Sequence, residues 1–262
     1  MNTTTILKTA EEAAIRAGEI ILQYYNITRV DEKGAGNLVT EADLKSEKAI
    51  REIILRDFPE HSILGEEEGG EEDINADNLW IIDPLDGTNN YAHGLPVFSV
   101  SIAYAEKGEV LTGLVFDPLR KETFTAEKGK GAHLNSRPIK TSQRKLSEAL
   151  IGTGFYYDRG AMMRSTLDSI GRLFENGIHG IRRSGSAALD FCYVASGRLD
   201  AYFEYHLGTW DFAAGMLILN EAGGECRDAS GNPLSLSAET FAVCNGQFSD
   251  ELINLVRHPR GE

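Results

Sequence analysis

Asp83 and Asp86 stand three residues apart in the stretch Trp80-Ile81-Ile82-Asp83-Pro84-Leu85-Asp86-Gly87-Thr88-Asn89-Asn90-Tyr91. Two carboxylates and a hydroxyl are thus crowded where an apolar run ends. Close carboxylates repel and raise each other's pKa unless a cation lies between them. A divalent ion that prefers oxygen ligands, Mg²⁺ above all, suits this donor set. Asp, Pro and Gly are also ordinary turn residues, so on this stretch alone a plain turn stays open. Three more acidic residues fall at element ends: Asp43 in the first turn of a helix, Glu66 after a short apolar run, and Asp211 before an apolar helix. Asp43 and Asp211 equally suit helix caps. If these ends converge, they form an all-oxygen site for two or three divalent ions. Gly87-Thr88-Asn89 and Ser184-Gly185-Ser186-Ala187 are small-residue helix starts whose free N–H groups suit a phosphate, or simple capping. Metals between two such termini would hold a phosphomonoester for in-line attack by water.

The elements that must position these residues follow from periodicity. Helical spacing predicts a helix over 5–25 and another from about Glu41 to Phe58, the second with Leu44, Ala49, Ile53 and Ile54 inward. Lys33-Gly34-Ala35-Gly36-Asn37 has the composition of a flexible loop. Strands are expected at 62–65 and 79–83, the latter stopped by Pro84. The acidic run Glu66–Asp73 reads as mostly solvated loop, with only Glu66 placed to face a site. Short β-rich runs at 98–104, 110–116, 122–126 and 133–135 suggest an antiparallel sheet. From 146 on, strands (150–154, 178–182, 199–204, 241–245) alternate with helices (161–176, 187–196, from 211, 249–256). In the helix over 161–176, Leu167, Ile170, Leu173 and Phe174 are expected inward. Ser249 is expected to cap the last helix. The pattern is mixed α/β: an α+β half over 1–145 and an α/β half over 146–262, packed as one unit.

The chain has 262 residues and 42% hydrophobic content, enough for a large core. Its formal charge of −14 opposes binding to nucleic acid or an anionic membrane surface. It also repels phosphates, so cations must neutralise a phosphate site. No apolar run reaches the roughly 18 residues of a membrane span, and the first twenty residues lack a secretory pattern. Cys192, Cys226 and Cys244 are odd in number and widely spaced, as expected for reduced thiols in a cytoplasmic protein.

Two long motifs give the chain a family resemblance. Asp83-Pro84-Leu85-Asp86-Gly87-Thr88, and Trp210-Asp211-Phe212-Ala213-Ala214-Gly215 running on to Glu221-Ala222-Gly223-Gly224, resemble those of the inositol monophosphatase family. So do Leu38-Val39-Thr40-Glu41-Ala42-Asp43, Gly65-Glu66-Glu67 and Arg183-Ser184-Gly185-Ser186-Ala187-Ala188, in matching order. The resemblance implies a Mg²⁺-dependent, lithium-sensitive phosphatase with a layered α/β/α/β/α sandwich of the inositol monophosphatase and fructose-1,6-bisphosphatase type, commonly a homodimer. It implies that Glu66, Asp83 and the Leu85 carbonyl hold one metal, and Asp83, Asp86 and Asp211 a second. Glu66 would help with a third. Thr88, paired with Asp43, would activate the water, and the N–H groups of Gly87 and Thr88 would bind phosphate. Substrate hydroxyls would meet Gly185, Ser186, Ala187 and Glu204.

Asn89-Asn90-Tyr91 resembles the inositol phosphatases and dual inositol/fructose enzymes rather than the adenosine-phosphate or histidinol branches. Glu204 suits a polyol, because a carboxylate accepts hydrogen bonds from vicinal hydroxyls. The expected reaction is hydrolysis of myo-inositol 1-phosphate. A fructose bisphosphate would need cations for its second phosphate, from Arg159, Arg164, Arg182 or Arg183, near Tyr156 and Tyr157. A non-catalytic scaffold or regulatory protein on the same fold is the remaining alternative.

Overall fold

The computed structural model describes residues 3–25, 30–34, 37–70, 73–157 and 159–257. The first part contains α1 (Thr3–Tyr24), β1 (Val30–Gly34), β2 (Asn37–Thr40), α2 (Glu41–Asp57), β3 (Ser62–Gly65), β4 (Gly69–Gly70), β5 (Leu79–Asp86) and α3 (Thr88–Ala92). Five strands follow: β6 (Ser99–Glu106), β7 (Glu109–Asp117), β8 (Glu122–Glu127), β9 (Ala132–Leu134) and β10 (Arg137–Pro138). The remainder contains β11 (Leu150–Thr153), α4 (Ala161–Glu175), β12 (Gly180–Arg182), α5 (Ala187–Ala195), β13 (Ala201–Tyr205), α6 (Thr209–Glu221), β14 (Glu225–Arg227), β15 (Thr240–Cys244) and α7 (Ser249–Val256).

Successive side chains of a strand point to opposite faces, and β5 shows what this builds. Trp80 and Ile82 enter one core with Ile6, Ala13, Ile50 and Ile54 of α1 and α2. Leu79 and Ile81 enter another with residues of α5 and α6. β5 is buried along its whole length between these helix layers. It lies within an eight-stranded sheet ordered β10-β9-β8-β7-β6-β5-β3-β4, antiparallel except for β3 with β5. The other face of α5 and α6 meets Tyr202, Phe241 and Val243 of a five-stranded sheet ordered β12-β11-β13-β15-β14. The far side of that sheet, with Ile151, Phe203 and Ala242, packs on Leu173 of α4 and Leu252 of α7. Five layers result, α/β/α/β/α, each sheet buried on both faces. Full burial of a large aliphatic or aromatic side chain is worth roughly 1.5–3 kcal/mol.

Several local expectations are corrected. Pro84 does not end β5; the strand runs to Asp86 across a bulge in its pairing with β6. A bulge leaves one residue out of the ladder, where the missing proline N–H costs nothing. The predicted loop at 33–37 overlaps the paired strands β1 and β2, with residues 35 and 36 outside those described. In α2 the buried stripe is Ala42, Asp43, Ser46, Glu47, Ile50 and Ile54, while Leu44 is 48% exposed. In α4 the inward residues are Ser165, Thr166, Ser169 and Leu173, while Leu167 and Phe174 face solvent. Ser169 earns its place by bonding the buried Tyr205 hydroxyl at 2.8 Å. Ser249 is the first residue of α7, not its cap. The three cysteines are buried and free of disulfides. Among the described residues no helix is long and apolar enough to cross a membrane.

Candidate metal centre and active site

The bulge in β5 has a chemical consequence. Asp83 pairs with Ser101 and Asp86 with Ser99. Three residues apart, the two carboxylates would point to opposite faces of a regular strand. The extra residue returns them to one side. Asp211 reaches the same place from the first turn of α6, and ligand oxygens of Asp83, Asp86 and Asp211 lie within 4.8 Å of one another. Asp211 is the third residue of its helix rather than the cap, and its Oδ2 accepts the Gly208 N–H at 2.7 Å.

These acids do not behave as isolated groups. Burial, then the charges of Glu66, Asp86 and Asp211, push Asp83 well above the usual carboxylate range. Burial and the charges of Asp86 and Glu66 do the same to Asp211. Burial pushes Asp86 up to about 6, held back by bonds from Ser186 and the Ala187 and Ala188 N–H groups. Those bonds measure 2.5 Å from Ser186 Oγ, 3.3 Å from Ala187 N and 2.8 Å from Ala188 N. The N-terminus of α5 is therefore occupied by Asp86, so of the two readings left open for it, phosphate binding or capping, this carboxylate supplies the second.

A cavity of about 430 Å³ opens over this cluster. Glu66, Leu85, Gly87 and Thr88 line it beside the three aspartates, as do Arg183, Gly185, Ser186, Ala187 and Glu204. Asp43 lies beneath: its Oδ1 accepts from Thr88 Oγ1 at 3.0 Å, while Oδ2 accepts from Thr40 N at 2.9 Å and Thr40 Oγ1 at 2.5 Å. Asp43 thus closes the capping box begun by Thr40, the N-cap of α2, and partners Thr88 as well. Thr88 Oγ1 also lies 3.1 Å from the Leu85 carbonyl. One hydroxyl proton serves only one of these acceptors at a time. Gly87 joins β5 to α3 at φ +101°, a conformation that favours glycine.

Every residue expected at the site therefore converges, Asp43 through Thr88. Of the four candidate arginines, only Arg183 lines the cavity. Arg159 donates to the Tyr156 carbonyl at 2.8 Å, and Arg182 to the Ile181 carbonyl at 2.9 Å. Of the substrate clue Asn89-Asn90-Tyr91, Asn89 lines the cavity while Asn90 and Tyr91 are buried pins. Asn90 Nδ2 holds the carbonyls of Val97 (2.7 Å) and Ser184 (2.8 Å), and Tyr91 donates to the Ile21 carbonyl at 2.8 Å. Sequence reading passed over Tyr202, which lines the cavity and donates to Glu204. Their i, i+2 spacing on a strand was the available signal. Burial pushes Glu204 up to about 7, against the Tyr202 bond and the Arg183 charge. Asp190 is a sixth carboxyl in the cavity wall, pushed well up by burial and bonded by Ser184 Oγ at 2.5 Å.

Charge decides what the arrangement can hold. Among the described residues, one guanidinium, Arg183, faces Glu66, Asp83, Asp86, Asp190, Glu204 and Asp211 in this cavity. The protein supplies too little positive charge for these oxygens, and divalent cations would supply the rest.

A model of the inositol monophosphatase family matches residues 2–260. An inositol-1-monophosphatase of Synechocystis sp. is 44% identical over 254 residues, covering 95% of this chain and 87% of that protein. A Nus factor SuhB of Haemophilus influenzae is 40% identical over 256 residues, covering 96% of each. The crystal structure of the extragenic suppressor protein suhB from Bartonella henselae matches with a TM-score of 0.91 at 33% identity, covering 98% of this chain and 100% of that one. A staphylococcal inositol monophosphatase is known with inositol monophosphate bound (TM-score 0.81, 30% identity, 97% and 94% coverage). It is also known with 2′-AMP bound. With the sequence match running nearly end to end and the whole fold superposing, the chain belongs to the inositol monophosphatase family.

Proposed function

We propose that the chain hydrolyses small phosphomonoesters with Mg²⁺ and that myo-inositol 1-phosphate is its best substrate. The observation that carries this reading is the convergence of Asp83, Asp86 and Asp211 beside a Thr88 hydroxyl that is bonded to Asp43. Glu66, Asp83 and the Leu85 carbonyl would hold one ion, Asp83, Asp86 and Asp211 a second, and Glu66 would contribute to a third. Bound Mg²⁺ supplies Lewis-acid charge to the phosphoryl oxygens and lowers the pKa of water.

The chain's own groups do the remaining work. Thr88 Oγ1 accepts a hydrogen bond from the attacking water and passes its own proton toward Asp43. The N–H groups of Gly87 and Thr88 orient the phosphate. Water attacks phosphorus, the ester P–O bond breaks, and the departing oxygen takes from solvent a proton equivalent to the one the attacking water gives up, becoming the alcohol. No covalent phosphoenzyme forms. Glu204 accepts hydroxyls of the polyol, with Gly185, Ser186 and Ala187 shaping the same wall and Arg183 at the rim. A second phosphate would meet only Arg183 among the four candidate arginines, which favours a monophosphate over fructose 1,6-bisphosphate.

The test is phosphate release from a panel of polyol, sugar and nucleotide phosphates with and without Mg²⁺. The highest kcat/KM is expected on myo-inositol 1-phosphate; a higher value on fructose 1,6-bisphosphate or a nucleotide would overturn the substrate assignment. The Nus-factor names of several relatives favour a second reading, a regulatory protein on the same fold. Absence of phosphate release from the whole panel would favour it. We also place the chain in the cytoplasm as a homodimer whose halves, 1–145 and 146–262, act as one unit. The core shared by both sheets supports the last point. The exposed Leu167 and Phe174 on α4 support pairing of two copies.

A further inference from the structure

The inward stripe of α2 carries two carboxylates one helical turn apart. Asp43 bonds Thr88. Glu47, fully buried, bonds the turn that follows β3. Its Oε2 accepts the Glu67 N–H at 2.8 Å, and its Oε1 accepts the Glu68 N–H at 3.0 Å and Arg51 Nε at 2.9 Å. Arg51 in turn donates to the Gly69 carbonyl. The turn that begins at Glu66 is therefore clamped through its N–H groups by Glu47 and through a carbonyl by Arg51. Gly65 leaves room for the clamp: a Cβ there would lie 2.3 Å from Glu47 Oε1 and 2.7 Å from Arg51 Nη2. On its other side the turn is tied to β5, since Glu66 N–H donates to the Ile82 carbonyl at 3.3 Å, next to Asp83.

We infer that Glu47 is a positioning residue that holds Glu66 against the metal cluster; the inference rests on the metal-site reading above. Glu66 carries the same charge as Asp83 and Asp211, and both feel it. Left alone, the acidic turn would swing away from them. A buried carboxylate is costly unless every oxygen is satisfied. Here both oxygens are spent on the two residues that follow Glu66, so the bonds fix that residue's direction. Groups that orient a metal ligand from behind typically govern metal affinity by 10–100-fold.

The experiment titrates Mg²⁺ into metal-stripped wild type, Glu47→Gln and Asp83→Asn by isothermal calorimetry, with Mg²⁺ activation of phosphate release alongside. Glutamine offers one acceptor oxygen where glutamate offers two and turns an N–H₂ toward backbone donors. Glu47→Gln should weaken Mg²⁺ binding about tenfold or more, with kcat at saturating Mg²⁺ within about threefold of wild type. Circular dichroism without metal checks the fold. If Glu47→Gln does not fold, Glu47→Asp, which keeps the charge but withdraws it from the turn, is read the same way. Mg²⁺ affinity within twofold of wild type would overturn the inference. So would a fall in kcat with an unchanged Mg²⁺ requirement, the mark of a general structural role. Failure of wild type itself to bind Mg²⁺ would overturn the metal-site reading instead, which keeps the two failures apart.

Discussion

Replacing Asp83 with Asn should stabilise the metal-free protein while destroying its metal response. Asp83 is 1% exposed and shares a 4.8 Å sphere with Asp86 and Asp211. Two unit charges at 4.8 Å repel by about 3.5 kcal/mol at an effective dielectric constant of 20. Partial protonation relieves part of this. Asparagine keeps the hydrogen bond at this position, since its oxygen still accepts the Leu85 N–H that now lies 2.9 Å from Oδ1. A net gain of about 1–3 kcal/mol is expected, or roughly 2–10 °C in Tm for a chain of this size. The assay is differential scanning calorimetry at pH 7.5, with EDTA and with Mg²⁺. Wild type should gain stability with Mg²⁺, about 2.7 kcal/mol at a hundred times Kd. Asp83→Asn should start higher and gain little. A lower Tm for the variant in EDTA, or an undiminished Mg²⁺ shift, would refute the reasoning.

Two further substitutions test the rest of the site. Thr88→Val removes the hydroxyl bonded to Asp43 that is proposed to orient the attacking water, and kcat should fall roughly 10²–10⁴-fold with KM little changed, measured at saturating Mg²⁺. Glu204 is raised by burial from 4.5 to about 7, so its stabilising effect is present below the unfolded value and lost as pH rises toward 7. The loss amounts to about 3 kcal/mol, and Glu204→Gln should melt higher than wild type at pH 8. Because polyol hydroxyls donate to the ionised form, kcat/KM should fall as pH drops through about 7, and the variant should lack that limb.

The elements were legible where periodicity and burial agree. α1 buries Ile6, Ala10, Ala13, Ala17 and Ile21 at helical spacing, and the β-rich runs at 98–104, 110–116 and 122–126 are the strands β6 to β8. The reading failed where polar residues face inward. In α2, Leu44 drew the inward face one position off, because Asp43, Ser46 and Glu47 occupy the buried stripe for reasons of chemistry. In α4 the same occurred with Ser165, Thr166 and Ser169. Asp43 and Glu47 lie in phase with Ile50 and Ile54, a pattern visible in the sequence once acids are allowed inside. Asp43, Glu66, Asp83, Asp86, Gly87, Thr88 and Asp211 were legible because acids, glycines and hydroxyls cluster at element ends, whereas the roles of the Leu85 carbonyl and Glu204 followed from the family resemblance. What could not be read was the β5 bulge. Proline next to Asp83 suggests a stop, and only pairing with β6 shows that the strand continues and aligns Asp83 with Asp86. The occupation of the α5 N-terminus by Asp86 was equally hidden, since it joins residues 100 apart in the chain.

The central claim is that the acidic cluster holds the metal ions that make this chain a phosphatase. The most direct measurement is phosphate release from myo-inositol 1-phosphate by metal-stripped wild type and Asp83→Asn as Mg²⁺ is added. Neither protein should turn over in EDTA; with Mg²⁺ wild type should recover fully and the variant not at all. Turnover in EDTA, or turnover by Asp83→Asn equal to wild type, would contradict that claim.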